Sequence, residues 1–287
     1  MKQSISIILK GFAIGAANVV PGVSGGTIAL LTGIFSRIVN SISSFAEVSN
    51  WKILFSKRDV KAWWKAIDGT FLFQLFIGLA LSVFSLAKLV TWSLKEYPVV
   101  TWAFFFSLVI VSTFYMFLEI KGFKVKDILW VINGIGLGIA FCLLTPTNTP
   151  NTAWFYFVSG AIAICTMILP GVSGSFVLQI FGNYDIVMEA LTTLNMSVLL
   201  PFGLGALIGI IAFSKLLKWL LARYEKPTLL LLLGFVLGSI MRVWPWYDME
   251  IVNEAGHGLQ IFEALCAMII GGALVVLMQM LSKKHES

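Results

Sequence analysis

Two short stretches of this chain hold the residue types and spacing from which chemistry can be built. Pro21-Gly22-Val23-Ser24-Gly25 runs on into Gly26-Thr27, and the same pentapeptide returns as Pro170-Gly171-Val172-Ser173-Gly174, followed by Ser175. Each sets hydroxyls and glycines directly after a Pro-Gly turn, in the middle of apolar sequence. A turn of this kind leaves backbone N–H groups without helical partners, and glycine lets an incoming group reach them. A helix that starts at the serine adds an N-terminal dipole that favours an anion. The pattern therefore supplies about four to six donors to a phosphate-like group without burying an arginine in lipid, which is expensive. The competing reading is that Pro-Gly only turns a hairpin and that small residues only let helices pack. Two copies of one pentapeptide favour an anion or lipid-headgroup site.

Other chemistries find little support. Cys142, Cys165 and Cys266 are far apart in apolar runs, and His257 and His285 stand near no cysteine and no carboxylate cluster of ligand spacing. Neither a metal site nor a cofactor is expected from such a set. A membrane enzyme such as a lipid phosphatase needs a nucleophile with its base, and the usual pattern of Lys and Arg clusters with two intramembrane histidines is absent from the sequence. The chain is thus read as a non-enzyme. A channel or small-ion secondary transporter stays open as the alternative, because broken helices also coordinate ions through their carbonyls.

The elements that must position the two motifs are set by composition. Of 287 residues, 59% are hydrophobic and 12% charged, against about a quarter charged in soluble domains. Mean hydropathy is +0.93, so the bilayer is the solvent. Full spans are predicted at 71–94, 98–118, 128–145, 198–217, 227–241 and 261–281. Two further regions, 4–45 and 154–196, are apolar but broken at Pro21-Gly22 and Pro170-Gly171, and read as helical hairpins. Such breaks are tolerated in a membrane only where protein or a wet cavity satisfies the backbone. The N-terminus has no convincing cleavage pattern and reads as retained structure rather than a signal peptide.

Charge orients the map. With the N-terminus in the cytoplasm, all of the 20 Lys and Arg residues except Lys88, Lys95 and Arg242 fall inside, and the outer segment 248–263 carries acids only. That obeys the positive-inside rule and puts both termini in the cytoplasm. The net charge of +6 is thereby explained by orientation rather than by nucleic acid, since the cations flank apolar segments. Between the first hairpin and its spans, 46–69 is a cytoplasmic insert whose Trp51–Asp68 stretch mixes Trp with Lys, as in a helix lying on an anionic leaflet. A passive interfacial anchor and a lipid-sensing element both fit it.

The chain also repeats. The two pentapeptides stand 149 residues apart, as do Gly11 and Gly160, and Gly33 and Gly182. At an offset of 127, Gly78, Lys88, Leu89, Trp92, Leu94 and Tyr97 match Gly205, Lys215, Leu216, Trp219, Leu221 and Tyr224. The two offsets differ by 22 residues, close to the length of the insert. Residues 1–145 form a first repeat with its spans at 71–145, and 146–287 a second with its spans at 198–281. Each repeat has one re-entrant or broken hairpin and three spans. Three is odd, so the second repeat enters the membrane inverted. The fold class is an all-α polytopic membrane protein with an inverted-topology repeat, an architecture of secondary transporters that bind substrate where paired broken helices meet. Lys88 and Lys215, equivalent across the repeat, fall toward opposite faces. Each would guard one mouth of a headgroup path, or snorkel to its interface.

At these residues a resemblance becomes specific. AANVVPGVSGGTIALLTGIFSRIV and MILPGVSGSFVLQIFGNYDIV resemble the polyprenyl-phosphate transporter family, over essentially the whole chain. The resemblance implies a translocase that recycles undecaprenyl phosphate from the outer to the inner leaflet of a bacterial plasma membrane, in support of peptidoglycan and other envelope polymers. It implies substrate-binding positions at Pro21, Gly22, Ser24, Gly25, Gly26, Thr27, Pro170, Gly171, Ser173, Gly174 and Ser175, with Arg37 after the first hairpin. Asn18 stands where some members of that family carry Asp, which leaves the coupling ion, H+ or Na+, without that carboxylate here.

Overall fold

The structure, a computed structural model, describes residues 2–19, 25–56, 58–144, 150–171, 173–247 and 260–286. Every regular element among them is helical, as lipid requires of a chain whose backbone groups must pair internally. The first hairpin is α1 (Lys2–Val19), α2 (Gly25–Leu31) and α3 (Phe35–Phe45). The insert forms α4 (Val48–Phe55) and α5 (Val60–Ala66). Then come α6 (Gly69–Glu96), α7 (Pro98–Glu119) and α8 (Ile128–Cys142). The second hairpin is α9 (Ala153–Ile168), α10 (Gly174–Ile180) and α11 (Tyr184–Thr193), followed by α12 (Met196–Ser239) and α13 (Ile261–Glu286). Among the described residues, four helical stretches, Gly69–Leu86, Pro98–Leu118, Val125–Cys142 and Met196–Val243, are long and apolar enough to cross a membrane. The chain is an all-α, multi-pass membrane protein.

Helix α12 has 44 residues, about 66 Å at 1.5 Å per residue, roughly twice a hydrocarbon core. Its backbone leaves helical values at Tyr224 (φ −135°, ψ 49°), three residues before Pro227. The break divides it into two segments, within which the ranges 198–217 and 227–241 fall. The α6–α7 junction is built the same way. Tyr97 has φ −135° and ψ 60° ahead of Pro98. The Thr101 hydroxyl donates to Ser93 O at 3.0 Å across that break, and Thr228 donates to Leu220 O at 3.5 Å across the other. Trp92 meets Tyr97 edge-on at 5.7 Å, and Trp219 meets Tyr224 at 5.9 Å. Each of these pairs differs by the same 127 residues.

The hairpins repeat as closely. Helices α2 and α10 each have seven residues and end at a left-handed glycine, Gly33 (φ +70°) and Gly182 (φ +63°). Ile34 N–H then donates to Ala29 O at 3.0 Å, and Asn183 N–H to Leu178 O at 2.9 Å. This is the glycine-capped helix end in which the carbonyls of the last turn are satisfied by the turned-back chain.

Helix contacts follow the two offsets too. A Cβ on Gly11 would strike the Leu75 carbonyl, and one on Gly160 the Phe202 carbonyl; Gly78 stands likewise against Ile8 O and Gly205 against Phe157 O. So α1 packs on α6 and α9 on the first segment of α12, backbone against backbone, as small residues permit in lipid. The later spans pair across the repeats. Helix α7 packs on α13, where Gly271 faces Phe104 O, and α8 packs on the second segment of α12 through Gly134, Gly138, Gly234 and Gly238.

By packing, the chain divides into two compact units, 1–83 with 144–228, and 84–143 with 229–287. The first holds both hairpins, the insert, α6 as far as Val83 and the first segment of α12. The second holds the remaining spans of both.

Candidate functional site

The first unit brings the two motifs into contact. Thr27, 2% exposed, accepts a hydrogen bond on its Oγ1 from the Gly171 backbone N–H at 2.8 Å. Beside it, a Cβ on Gly26 would lie 2.5 Å from Ile168 O, so the start of α2 rests on the end of α9 with no side chain between them. Pro170 is fully buried, and Gly171 has φ +87°, a conformation glycine adopts without penalty. This is the physical reason for glycine after proline in the second copy. A close approach explains Gly26 in the first.

Each motif is also held by its own first arm. Asn18 Oδ1 accepts from Gly25 N–H at 2.8 Å, tying the end of α1 to the first amide of α2. The equivalent place in the second hairpin is apolar. A Cβ on Gly174 would meet the Met167 side chain at 2.7 Å and Ala163 O at 2.8 Å. Ser173 and Ser175 bond to each other through their hydroxyls at 2.6 Å, both half-buried. One proton is used in that bond and the other remains for a further acceptor. Ser173 precedes α10 with φ −99° and ψ 133° but makes no side-chain cap to it, so its hydroxyl is not committed to the helix.

Pro21, Gly22 and Ser24 lie outside the described residues, as does the side chain of Lys88 on α6. Arg37 is paired with an acid that follows the insert helices. Its guanidinium grips Asp68 through Nε at 2.7 Å and Nη2 at 3.1 Å, and lies 4.2 Å from the centre of the Phe71 ring. Lys215 is exposed on the first segment of α12. One turn further on, Lys218 pairs with Glu47 at 3.0 Å.

Lys10, one of the cations on the cytoplasmic side of the sequence map, has a structural partner. It is half-buried, and its Nζ donates to Thr32 O at 2.8 Å, just past the C-terminus of α2. A cation there complements the helix dipole. The second repeat has Ser159 at that position, which accepts from Asn183 Nδ2 at 2.8 Å. Asp68, Glu47, Lys218 and Lys10 had no signal in the sequence beyond their charge.

With the geometry in hand, known proteins are informative. A family described as undecaprenyl phosphate translocase-like matches residues 14–261. A polyprenyl-phosphate transporter of Vibrio cholerae serotype O1 is 42% identical over 263 residues, covering 90% of this chain and 84% of its own. A polyprenyl-phosphate transporter of Staphylococcus aureus is 35% identical over 298 residues, covering 97% of each. No solved structure matches. A match over residues 14–261, with two relatives alike over most of their length, settles the kinship: the chain belongs to the undecaprenyl phosphate translocase-like family.

Proposed function

We propose that this protein translocates undecaprenyl phosphate from the outer to the inner leaflet of a bacterial plasma membrane by alternating access, with the phosphate held between the paired motifs. The observation that carries the reading is the Thr27–Gly171 bond, which joins the two copies at one place. A duplicated motif that served only to turn each hairpin would have no need of the other copy. The relatives' names supply the substrate class. Because α2 and α10 have seven residues each, the donors are hydroxyls and turn amides more than any long helix dipole. Ser24, Thr27, Ser173 and Ser175 are the hydroxyl set, and Gly25, Gly26, Gly171 and Gly174, lacking side chains, let the motif backbones come together around the headgroup. Asn18, Pro21, Gly22 and Pro170 hold the turns. The isoprenoid tail stays in lipid, so only the headgroup needs a polar path.

The two repeats are read as inverted, with both termini cytoplasmic. Three spans after each hairpin, the one-sided distribution of Lys and Arg, and the exchange of partners between α7–α13 and α8–α12 support that arrangement. Lys88 and Lys215 then guard the outer and inner mouths.

Counterflow in proteoliposomes with labelled undecaprenyl phosphate tests the activity. Exchange between leaflets is the expected result; hydrolysis would make it an enzyme, and ion current alone a channel. Ser24→Ala and Ser173→Ala are each expected to weaken phosphate binding by about 1–2 kcal/mol through a lost charge-assisted bond. Unchanged affinity in both, with expression intact, removes the assignment. The gates have a directional signature. In liposomes of defined orientation, Lys88→Met slows uptake from the outer leaflet more than delivery at the inner, and Lys215→Met does the reverse. Normal transport by both would leave the lysines as interfacial anchors.

A further inference from the structure

The insert is the one part of the first repeat that the second repeat lacks. From α11 the chain enters α12 after two residues, whereas from α3 it reaches α6 only through α4 and α5. Neither insert helix has a buried residue, so nothing in it is needed to fill the bundle. It is nevertheless a built object. Trp51 lies edge-on to Phe45 at 5.1 Å, stacks on Phe55 at 5.8 Å and meets Trp63 at 5.3 Å. Trp51 Nε1 donates to Phe45 O at 2.7 Å, and Trp64 Nε1 to Thr70 Oγ1 at 2.9 Å. Those bonds fix the aromatic platform before any partner arrives.

Its charges are sorted. The three acids from residue 46 to 68 are all engaged within the protein: Glu47 by Lys218, Asp68 by Arg37, and Asp59 by the Ala62 N–H that it caps. The described cations of the insert, Lys52, Arg58, Lys61 and Lys65, are all exposed, and none forms an ion pair among the described residues. Apolar side chains stand out beside them, with Val48 70%, Phe55 73% and Val60 61% exposed. The insert ends at Asp68, and the first membrane-crossing stretch begins at Gly69, which puts this surface at the level of the headgroups.

We propose that α4 and α5 form a docking surface for anionic phospholipid headgroups of the adjoining leaflet, with Lys52, Arg58, Lys61 and Lys65 on the phosphates and Phe55, Val48 and Val60 in the acyl boundary. The geometry is that of an interfacial helix pair, apolar contact and cationic attraction acting together. Internal pairing of every acid makes the surface respond to the leaflet's charge, which a merely apolar anchor does not. Nothing in it depends on which lipid the bundle moves.

Hydrogen–deuterium exchange of the full chain tests this in nanodiscs of phosphatidylcholine alone and of phosphatidylcholine with phosphatidylglycerol. Amides of 48–66 are expected to exchange at least five-fold more slowly in the anionic discs, since each cation near such a surface is worth about a factor of five. High salt removes the difference, and the exposed-charge variant Lys61→Gln with Lys65→Gln reduces it sharply, while the exchange of α6 stays unchanged in both lipids. A second variant, Lys52→Glu, reduces the difference without touching the aromatic platform. Equal exchange in the two disc types overturns the proposal. Protection that appears only with two chains per disc also overturns it, because the occupant is then a second copy.

Discussion

Gly78→Ala and Gly205→Ala are each expected to lower the stability of the folded protein by about 2 kcal/mol, and the valine variants to abolish folded yield. In a helix interior, alanine in place of glycine gains about 1 kcal/mol by propensity. Here the new Cβ would run into a backbone carbonyl, Ile8 O for Gly78 and Phe157 O for Gly205. A backbone oxygen inside a packed helix pair cannot swing aside as the end of a long side chain does, and overpacking of this kind costs about 1–3 kcal/mol or more. The clash outweighs the propensity gain. The thermal midpoint in detergent should fall by roughly 3–6 °C for each alanine variant. Gly136→Ala and Gly203→Ala are the controls, because nothing lies within 4 Å of their new methyl groups. They should be neutral or slightly stabilising. A fall of equal size at all four positions would trace the loss to helix flexibility rather than to the α1–α6 and α9–α12 contacts.

The equality expected of Gly78 and Gly205 reflects what a sequence can express. Pro21-Gly22 and Pro170-Gly171 are local breaks in long apolar runs, so hairpins, spans and duplication could be read directly; Tyr97 and Tyr224, matched by residue type, also share their backbone angles. Pairings between distant helices carry no such local mark. Gly-x3-Gly spacing at 134 and 138, and at 234 and 238, announces close packing, but only the fold shows that these two helices pack on each other. Arg37 is the clearest case at the candidate site. The resemblance implies a place for it among the substrate-binding residues, and the fold adds that it holds Asp68, a partner 31 residues away across the insert. The reach of a side chain depends on tertiary neighbours, and hydropathy does not encode them. The Thr27–Gly171 contact was likewise out of reach, since 144 residues separate its ends.

That contact is where the two copies differ most. Past the shared pentapeptide the first motif continues Gly26-Thr27 and the second Ser175-Phe176, so the bond from Thr27 has no mirror-image hydroxyl at 176. One side chain therefore sets how closely the motifs stand and which way the Gly171 amide points. Thr27→Val keeps the volume and the branching but removes the acceptor, leaving the Gly171 N–H unsatisfied in a partly buried position, at a cost of about 1–3 kcal/mol. The Thr27 hydroxyl accepts from Gly171 and keeps its own proton for a phosphate oxygen, so its loss is felt in transport: counterflow of undecaprenyl phosphate should drop about ten-fold, the equivalent of 1.4 kcal/mol. Thr27→Ser restores the oxygen and should recover most of the rate. The serine variant also separates this role from packing, because it deletes the methyl group that valine retains. If the serine variant fails and the valine variant transports normally, Thr27 fills space at the tip and the bond between the motifs takes no part in binding.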